Sequence, residues 1–163
     1  MFQKLLIFFG EGNMNEDKIN WCCKQKRGIK IIGLKPHLSD SYIEEAEKDL
    51  KEISSTGKKW KIIIAYYSCY EALYSLLMKC GIKSEIHDCS IELMSLFEFK
   101  EEDIDYIKDL KKARENTQYY LKKDELKHED KVKEFIFKCK EILNNLNSNK
   151  LEEIRNKIKD ASD

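Results

Sequence analysis

Apolar residues recur every three or four positions along most of this chain, which is the spacing of an amphipathic helix. The pattern predicts helices over residues 16–26, about 39–54, 58–80, 89–97, 101–121, 128–146 and 151–158. No alternating strand pattern lasts beyond a few residues, and one proline and six glycines leave few breaks. We therefore expect an all-α fold, an antiparallel up-down bundle of four to five main helices joined by short loops.

The segment 58–80 differs from the other predicted helices because it is apolar on nearly all sides. This pattern predicts the central helix of the bundle, and Gly81 directly after it is a typical C-terminal stop. A membrane span is the alternative. Glu71 and several tyrosines in mid-segment argue against it, since a span would place tyrosines near its ends.

A length of 163 residues suits one domain with a real core. We place the bundle at residues 39–146, after a short basic helix and connection at 14–38 and before a C-terminal helix and tail at 147–163. Residues 1–13 are interpreted as a mis-called N-terminal extension, because Met14 offers a second start.

The overall charge gives no reason to expect nucleic acid or an anionic membrane as a partner. Lys and Arg total 30, and Asp and Glu also total 30. The segment from Lys18 to Lys35 is nevertheless basic, and with Trp21 and the lysines at 58, 59 and 61 it is a candidate surface for guiding RNA. The alternative is a solvated face balanced by the acidic helix that follows.

The six cysteines contain no Cys-x-x-Cys pair, and three of them lie inside apolar helical patterns. This usage is typical of buried thiols in a reducing compartment, whereas a disulfide framework belongs to smaller secreted chains. We therefore predict free thiols and a cytoplasmic location.

Two charged side chains lie on apolar helix faces. Arg114 follows Leu110 by four positions and Ile107 by seven, and Glu71 lies within the central segment. A lone buried charge is costly, so the first hypothesis is a structural ion pair between Glu71 and Arg114. The second is a cleft in which Arg114 contacts phosphate, because its planar guanidinium is always charged and can bind two oxygens at once.

Several catalytic motifs are absent from the sequence, which has no glycine-rich phosphate loop, no Gly-x-Ser-x-Gly and no His-Glu-x-x-His. One Glu-x-x-His runs from Glu125 to His128, but a di-iron bundle needs two copies and two further glutamates. We therefore predict no metal and no cofactor.

Three segments, in this order, resemble the small prokaryotic HEPN domains (higher eukaryotes and prokaryotes nucleotide-binding). They are the helix containing Ala65-Tyr-Tyr-Ser-Cys-Tyr-Glu71, the loop Gly81-x5-His87, and the motif Arg114-x4-Tyr119. The likeness covers about residues 16–145. It implies a helical bundle that dimerises. Active members of the family are metal-independent ribonucleases with an Arg-x4–6-His motif across the dimer cleft, and many are toxins paired with a minimal nucleotidyltransferase antitoxin.

The resemblance also implies roles for particular residues. Arg114 matches the family arginine and would hold phosphate, whereas Tyr119 stands where the family has histidine. Tyrosine titrates near 10 and is a poor general base, so His87 joins Tyr119 as a catalytic candidate. Glu71 would orient Arg114, and the other predicted ligand-binding residues are Tyr120 and Asn116. A metal-independent endoribonuclease and an inactive binding or scaffold module therefore both stay open.

Overall fold

The computed structural model describes residues 15–163, so the interpretation of residues 1–13 as an extension lies outside the described residues. The described chain forms seven helices and one short pair of strands: α1 (15–24), β1 (Lys30–Ile31), α2 (Pro36–Glu52), α3 (Lys58–Lys79), β2 (Ile82–Lys83), α4 (His87–Glu92), α5 (Glu101–Tyr119), α6 (Asp130–Asn145) and α7 (Ser148–Ser162). The all-α prediction is confirmed.

The starts of α2 and α7 lie three residues before the predicted ones. Helix α2 begins at Pro36, before the predicted start near residue 39, because the fixed φ angle of proline suits the first helical turn. Helix α7 begins at Ser148, where the side chain of Asn147 accepts a hydrogen bond from the backbone N–H of Lys150 at 2.9 Å. A local cap therefore extends the last helix beyond its apolar stripe.

Helix α3 is the central element, as predicted. It packs against α2, α5 and α6, and twelve of its residues are buried. Helix α2 makes its most extensive contacts with α3, where the hydroxyl of Ser68 donates to the carbonyl of Ala46 at 2.7 Å. Within residues 15–163, no helix combines the length and apolar character that crossing a membrane requires.

The two strands were not predicted, because two residues are too few to produce a periodic pattern. They pair antiparallel, Lys30 with Lys83 and Ile31 with Ile82, and thereby bring the chain before α2 beside the chain after α3. The strand pair therefore joins the connection between α1 and α2 to the end of α3.

A single arginine holds this region to the last helix. Nη1 of Arg155 in α7 lies 2.8 to 3.1 Å from the carbonyl oxygens of Ile32, Cys80 and Gly81. Gly81 adopts φ +65°, a conformation that glycine accepts at little cost. Its carbonyl also accepts from the backbone N–H of Ile32 at 2.8 Å. The end of α3 thus meets the strand pair and α7 at one position.

Gly81→Ala is expected to lower the free energy of unfolding by about 2–3 kcal/mol, from left-handed strain of about 1–2 kcal/mol and added crowding. The new Cβ would lie 2.6 Å from the carbonyl oxygen of Ile32 and 2.5 Å from Nη1 of Arg155. Urea unfolding measures the change. Gly33→Ala is the matched control, since its Cβ would meet nothing within 4 Å. Equal losses for both variants would contradict the argument.

A disulfide joins Cys22 in α1 to Cys89 in α4, with the two Cα atoms 5.7 Å apart. The prediction of free thiols is therefore wrong for these two residues, although it holds for the other four, Cys23, Cys69, Cys80 and Cys139. This pairing could not be predicted from local spacing, because 67 positions separate the partners. The bond fixes α1 against the element that begins with His87.

Candidate functional site

An open cavity of about 340 Å³ lies where α3, the start of α4 and the end of α5 meet. Eight residues line it: Tyr67, Ile86, His87, Asp88, Lys111, Arg114, Glu115 and Tyr119. Three of them, Arg114, His87 and Tyr119, are the predicted catalytic residues. The fold therefore brings together residues of α3, α4 and α5 that lie far apart in sequence. We call this cavity the Arg114 pocket.

Arg114 is 5 % exposed, and its guanidinium is held mainly by aromatic rings. Its Cζ lies 4.7 Å from the ring centroid of Tyr66 and 5.5 Å from that of Tyr67, distances typical of cation–π contacts. Nη1 donates to the hydroxyl of Tyr67 at 3.2 Å. Nε is buried and has no hydrogen-bond partner among the described residues. Arg114 therefore lines the cavity and keeps a buried donor without a partner.

The acidic groups near Arg114 are shared with a second cation. Glu115 Oε1 lies 3.7 Å from Nη2 of Arg114 but only 2.6 Å from Nζ of Lys111. Lys111 also contacts Asp88 at 3.1 Å. Because Lys111 takes the shorter contact, Glu115 neutralises Arg114 only in part.

His87 is held between tyrosines. Its ring stacks on Tyr70 with centroids 4.1 Å apart, and its Nδ1 lies 2.7 Å from the hydroxyl of Tyr66. Burial, together with the positive charges of Arg114 and Lys111, lowers the pKa of His87 below its usual value. The imidazole is therefore neutral near pH 7, the form that can accept a proton.

The position of Tyr119 depends on where α5 ends. In an ideal helix, a residue five positions after Arg114 would be rotated about 140° away from it. Helix α5 ends at Tyr119, and the ring of Tyr119 lies 5.7 Å from Cζ of Arg114. Its ring is 63 % exposed and forms the outer wall of the pocket.

The predicted ion pair between Glu71 and Arg114 is wrong. Glu71 is half-buried and faces α2, where Glu45 and Asp49 are its charged neighbours. Burial, and then the negative charges of Asp49 and Glu45, raise the pKa of Glu71 to about 7. Its Oε2 has no hydrogen-bond partner among the described residues. Glu71 therefore cannot orient Arg114, whose contacts all come from other residues.

Glu71→Gln is expected to stabilise the protein above pH 7, with a gain that disappears as the pH falls towards 4.5. Between these values the native carboxyl holds a proton that the unfolded chain has lost, so the stability of the wild type falls as the pH rises. The full pKa shift of Glu71 would correspond to about 3 kcal/mol of unfolding free energy. Because the side chain is only half-buried and solvent screens its charge, we expect a gain of about 1 kcal/mol.

Thermal unfolding of the two proteins across this pH range measures the difference. Glu44→Gln, an exposed change on α2, is the control and should show no such pH dependence. A Glu71 paired with a cation would give the opposite sign, with the Gln variant least stable at high pH.

The remaining predicted ligand-binding residues lie outside the Arg114 pocket. The side-chain amide of Asn116 donates to Asp124 at 3.2 Å, and the backbone carbonyl of Asn116 accepts from the backbone N–H of Lys122 at 3.0 Å. Tyr120 is 70 % exposed and follows the last residue of α5. Asn116 therefore secures the end of the helix, and Tyr120 presents its ring to solvent.

Several residues of the site, among them Tyr66, Tyr67 and Lys111, were not predicted as parts of it. Tyr66 is fully buried, yet its ring and that of Tyr67 lie against the guanidinium of Arg114. Lys111 lies three positions before Arg114 and therefore on the same helix face. That spacing was the available signal for Lys111, whereas nothing local distinguished the two tyrosines from other core aromatics.

Comparison with protein-family models, with curated proteins and with solved structures yields no match for this chain. Within residues 15–163, no three His, Cys, Asp or Glu side chains come together as a group that could hold a metal ion. The chemistry of the site therefore has to be argued from its own residues.

Proposed function

We propose that this chain is a HEPN-like protein that binds a phosphate group of RNA or of a nucleotide in the Arg114 pocket. The observation that carries the proposal is the buried guanidinium of Arg114, with an unpartnered Nε and incomplete neutralisation, beside an open cavity of about 340 Å³. Buried charges are normally paired, so the missing partner suggests an anionic ligand.

Phosphate suits the pocket because guanidinium can offer two parallel donors to its oxygens. The rings of Tyr66 and Tyr67 lie against the guanidinium and restrict its orientation. Tyr119, with its exposed ring, is placed to stack on a base or ribose next to the bound phosphate. Lys111 adds a second positive charge that an incoming anion can attract away from Asp88 and Glu115.

The enzymatic form of the proposal is a metal-independent endoribonuclease. When Tyr66 accepts the hydrogen bond from Nδ1–H of His87, Nε2 carries the lone pair and can take a proton from a ribose 2′-hydroxyl. The 2′-oxygen would attack the adjacent phosphorus, the bond from phosphorus to the 5′-oxygen would break, and protonated His87 would return its proton to that leaving oxygen. Arg114 would stabilise the negative charge that develops on the phosphate. His87 thus occupies the role of the family histidine that Tyr119 cannot perform.

The alternative is a catalytically inactive helical binding or scaffold module. The contacts of Arg114 with Tyr67, Gln118 and Glu115 favour it, because they give the arginine a structural role without any ligand. In either form, we propose a homodimer and, as the biological context, a toxin–antitoxin or defence pair with a minimal nucleotidyltransferase. Cytoplasmic location belongs to the same proposal and rests on this toxin–antitoxin context, because the Cys22–Cys89 disulfide removes the support that free thiols would give it.

RNA binding and cleavage by the purified wild-type protein test the proposal. Labelled single-stranded RNA should bind with an affinity that falls as salt rises, because phosphate contacts release counterions. Incubation of RNA with the protein in EDTA then separates the two forms. Cleavage identifies the ribonuclease, and binding without cleavage identifies the binding module. If the protein neither binds nor cleaves RNA, the proposed RNA ligand is rejected.

A further inference from the structure

A second cavity, of about 330 Å³, lies between the start of α3 and the chain that follows α5. We call it the lysine pocket. It is lined by Lys58, Lys59, Thr117, Leu121, Lys122, Lys123, Asp124 and Glu125, none of which lines the Arg114 pocket. Lys58 and Lys59 belong to the candidate surface for guiding RNA, whereas the other residues of the pocket were not predicted to take part in binding or catalysis.

The start of α3 provides unpaired backbone donors at this cavity. The first hydrogen bond within the helix runs from the N–H of Lys61 to the carbonyl of Gly57, at 3.0 Å. The three preceding N–H groups therefore have no helical acceptor, and no side chain of residues 15–163 caps this end. The helix has 22 residues and no acidic residue in its first turn. Its positive end is thus open to an anion.

Thr117 supplies an independent observation on the same cavity. Its side chain is 4 % exposed, and its hydroxyl has no hydrogen-bond partner among the described residues. A buried hydroxyl without a partner is unfavourable, so native proteins rarely keep one without a reason. Because Thr117 lies in the wall of the lysine pocket, a bound acceptor there would give the hydroxyl its partner.

The charges around the cavity are positive on balance. Lys58 is paired with Glu125 at 2.7 Å, and Asp124 accepts from the side chain of Asn116 at 3.2 Å. Within residues 15–163, the other three lysines of the pocket, Lys59, Lys122 and Lys123, have no carboxylate within salt-bridge distance. Both acidic residues therefore already have hydrogen-bond partners within the protein, whereas three of the four lysines can bind an anion.

We propose that the lysine pocket binds a phosphate group at a site separate from Arg114. The ligand chemistry is that of a nucleotide polyphosphate or of a nucleic-acid backbone, which the lysines, the N–H groups of α3 and the Thr117 hydroxyl would hold together. Trp60 is 56 % exposed, and its ring lies 5.6 Å from Nζ of Lys59, so it can report on binding at the lysine pocket. This site does not depend on the function proposed for Arg114.

Fluorescence of Trp60 provides the test. The chain has two tryptophans, so Trp21→Phe, an exposed change in α1, leaves Trp60 as the single reporter. In this background we expect a saturable signal on titration with inorganic pyrophosphate. A parallel titration with a short oligouridylate distinguishes the sources, since tighter binding of the oligouridylate indicates nucleic acid and tighter binding of pyrophosphate indicates a nucleotide.

Two sets of variants in this background make the test specific. Thr117→Val should weaken pyrophosphate binding about tenfold through the lost hydrogen bond to a charged group, while the melting temperature stays equal or rises. Thr117→Ser should restore binding. Replacing Lys122 and Lys123 together by Gln should weaken it by a similar factor, whereas the matched exposed pair Lys157→Gln and Lys159→Gln in α7 should leave it unchanged.

Arg114→Lys should not alter pyrophosphate binding as Trp60 reports it, so a failure of the Arg114 proposal leaves this one standing. The proposal is overturned if Trp60 gives no saturable response. It is equally overturned if both lysine pairs lose affinity alike, or if a folded Thr117→Val variant binds as tightly as its parent.

Discussion

Arg114→Lys is expected to weaken RNA binding about tenfold to a hundredfold, the range that corresponds to losing one charge-assisted hydrogen bond. Lysine keeps the positive charge but loses the planar fork and the Nε donor, which has no partner among the described residues. It also loses the flat contact with the ring of Tyr66, 4.7 Å away. Fluorescence anisotropy with labelled RNA at fixed salt measures the change.

Arg27→Lys is the matched control, because Arg27 is exposed and pairs with Glu85 at the surface. It should bind RNA as the wild type does. If the wild type also cleaves RNA in EDTA, Arg114→Lys should lower cleavage by at least the same factor, since the arginine would act on developing charge. A variant that is less stable but binds normally per folded molecule would instead establish Arg114 as purely structural.

Reduction of the Cys22–Cys89 disulfide is expected to lower the free energy of unfolding by about 4 kcal/mol, according to the chain-entropy relation for a loop of this length. The bond closes a loop with 67 positions between its ends, which greatly restricts the unfolded chain. It also joins α1 to α4, a helix of only six residues that begins with His87. Urea unfolding with and without a reductant measures the difference.

Alkylation of the denatured protein shows whether the bond is present. Without reductant, intact mass should increase by four alkyl groups, and after reduction by six. Cys23→Ser is the control, since this neighbour of Cys22 is a free thiol and its loss should leave the reductant effect unchanged. Six groups added without reductant would restore the prediction of free thiols.

The helices were predictable because their signal is local. Helix α3 is apolar on most sides and ends before a glycine at positive φ, and both features can be read from neighbouring residues. The start of α2 was misplaced because proline and serine nearby are both good helix-start residues. The strand pair was missed because Lys30–Ile31 and Ile82–Lys83 carry no pattern of their own.

The candidate site was predictable only in part. Arg114 stood out because an arginine on an apolar stripe requires a partner, and the resemblance to HEPN domains added His87 and Tyr119. The partner itself was predicted wrongly, since Glu71 is equally conspicuous in sequence but faces the acidic side of α2. A lone charge thus indicates that a partner is needed, without identifying it.

By itself, the sequence determined the helical class, the central position of α3 and the burial of Arg114, because each follows from side-chain spacing within one helix. The tertiary structure alone decided that His87 and the rings of Tyr66 and Tyr67 surround this arginine. It also decided the pairing of Cys22 with Cys89. These contacts join residues tens of positions apart, and their choice of partner depends on how the helices pack, which no local spacing encodes.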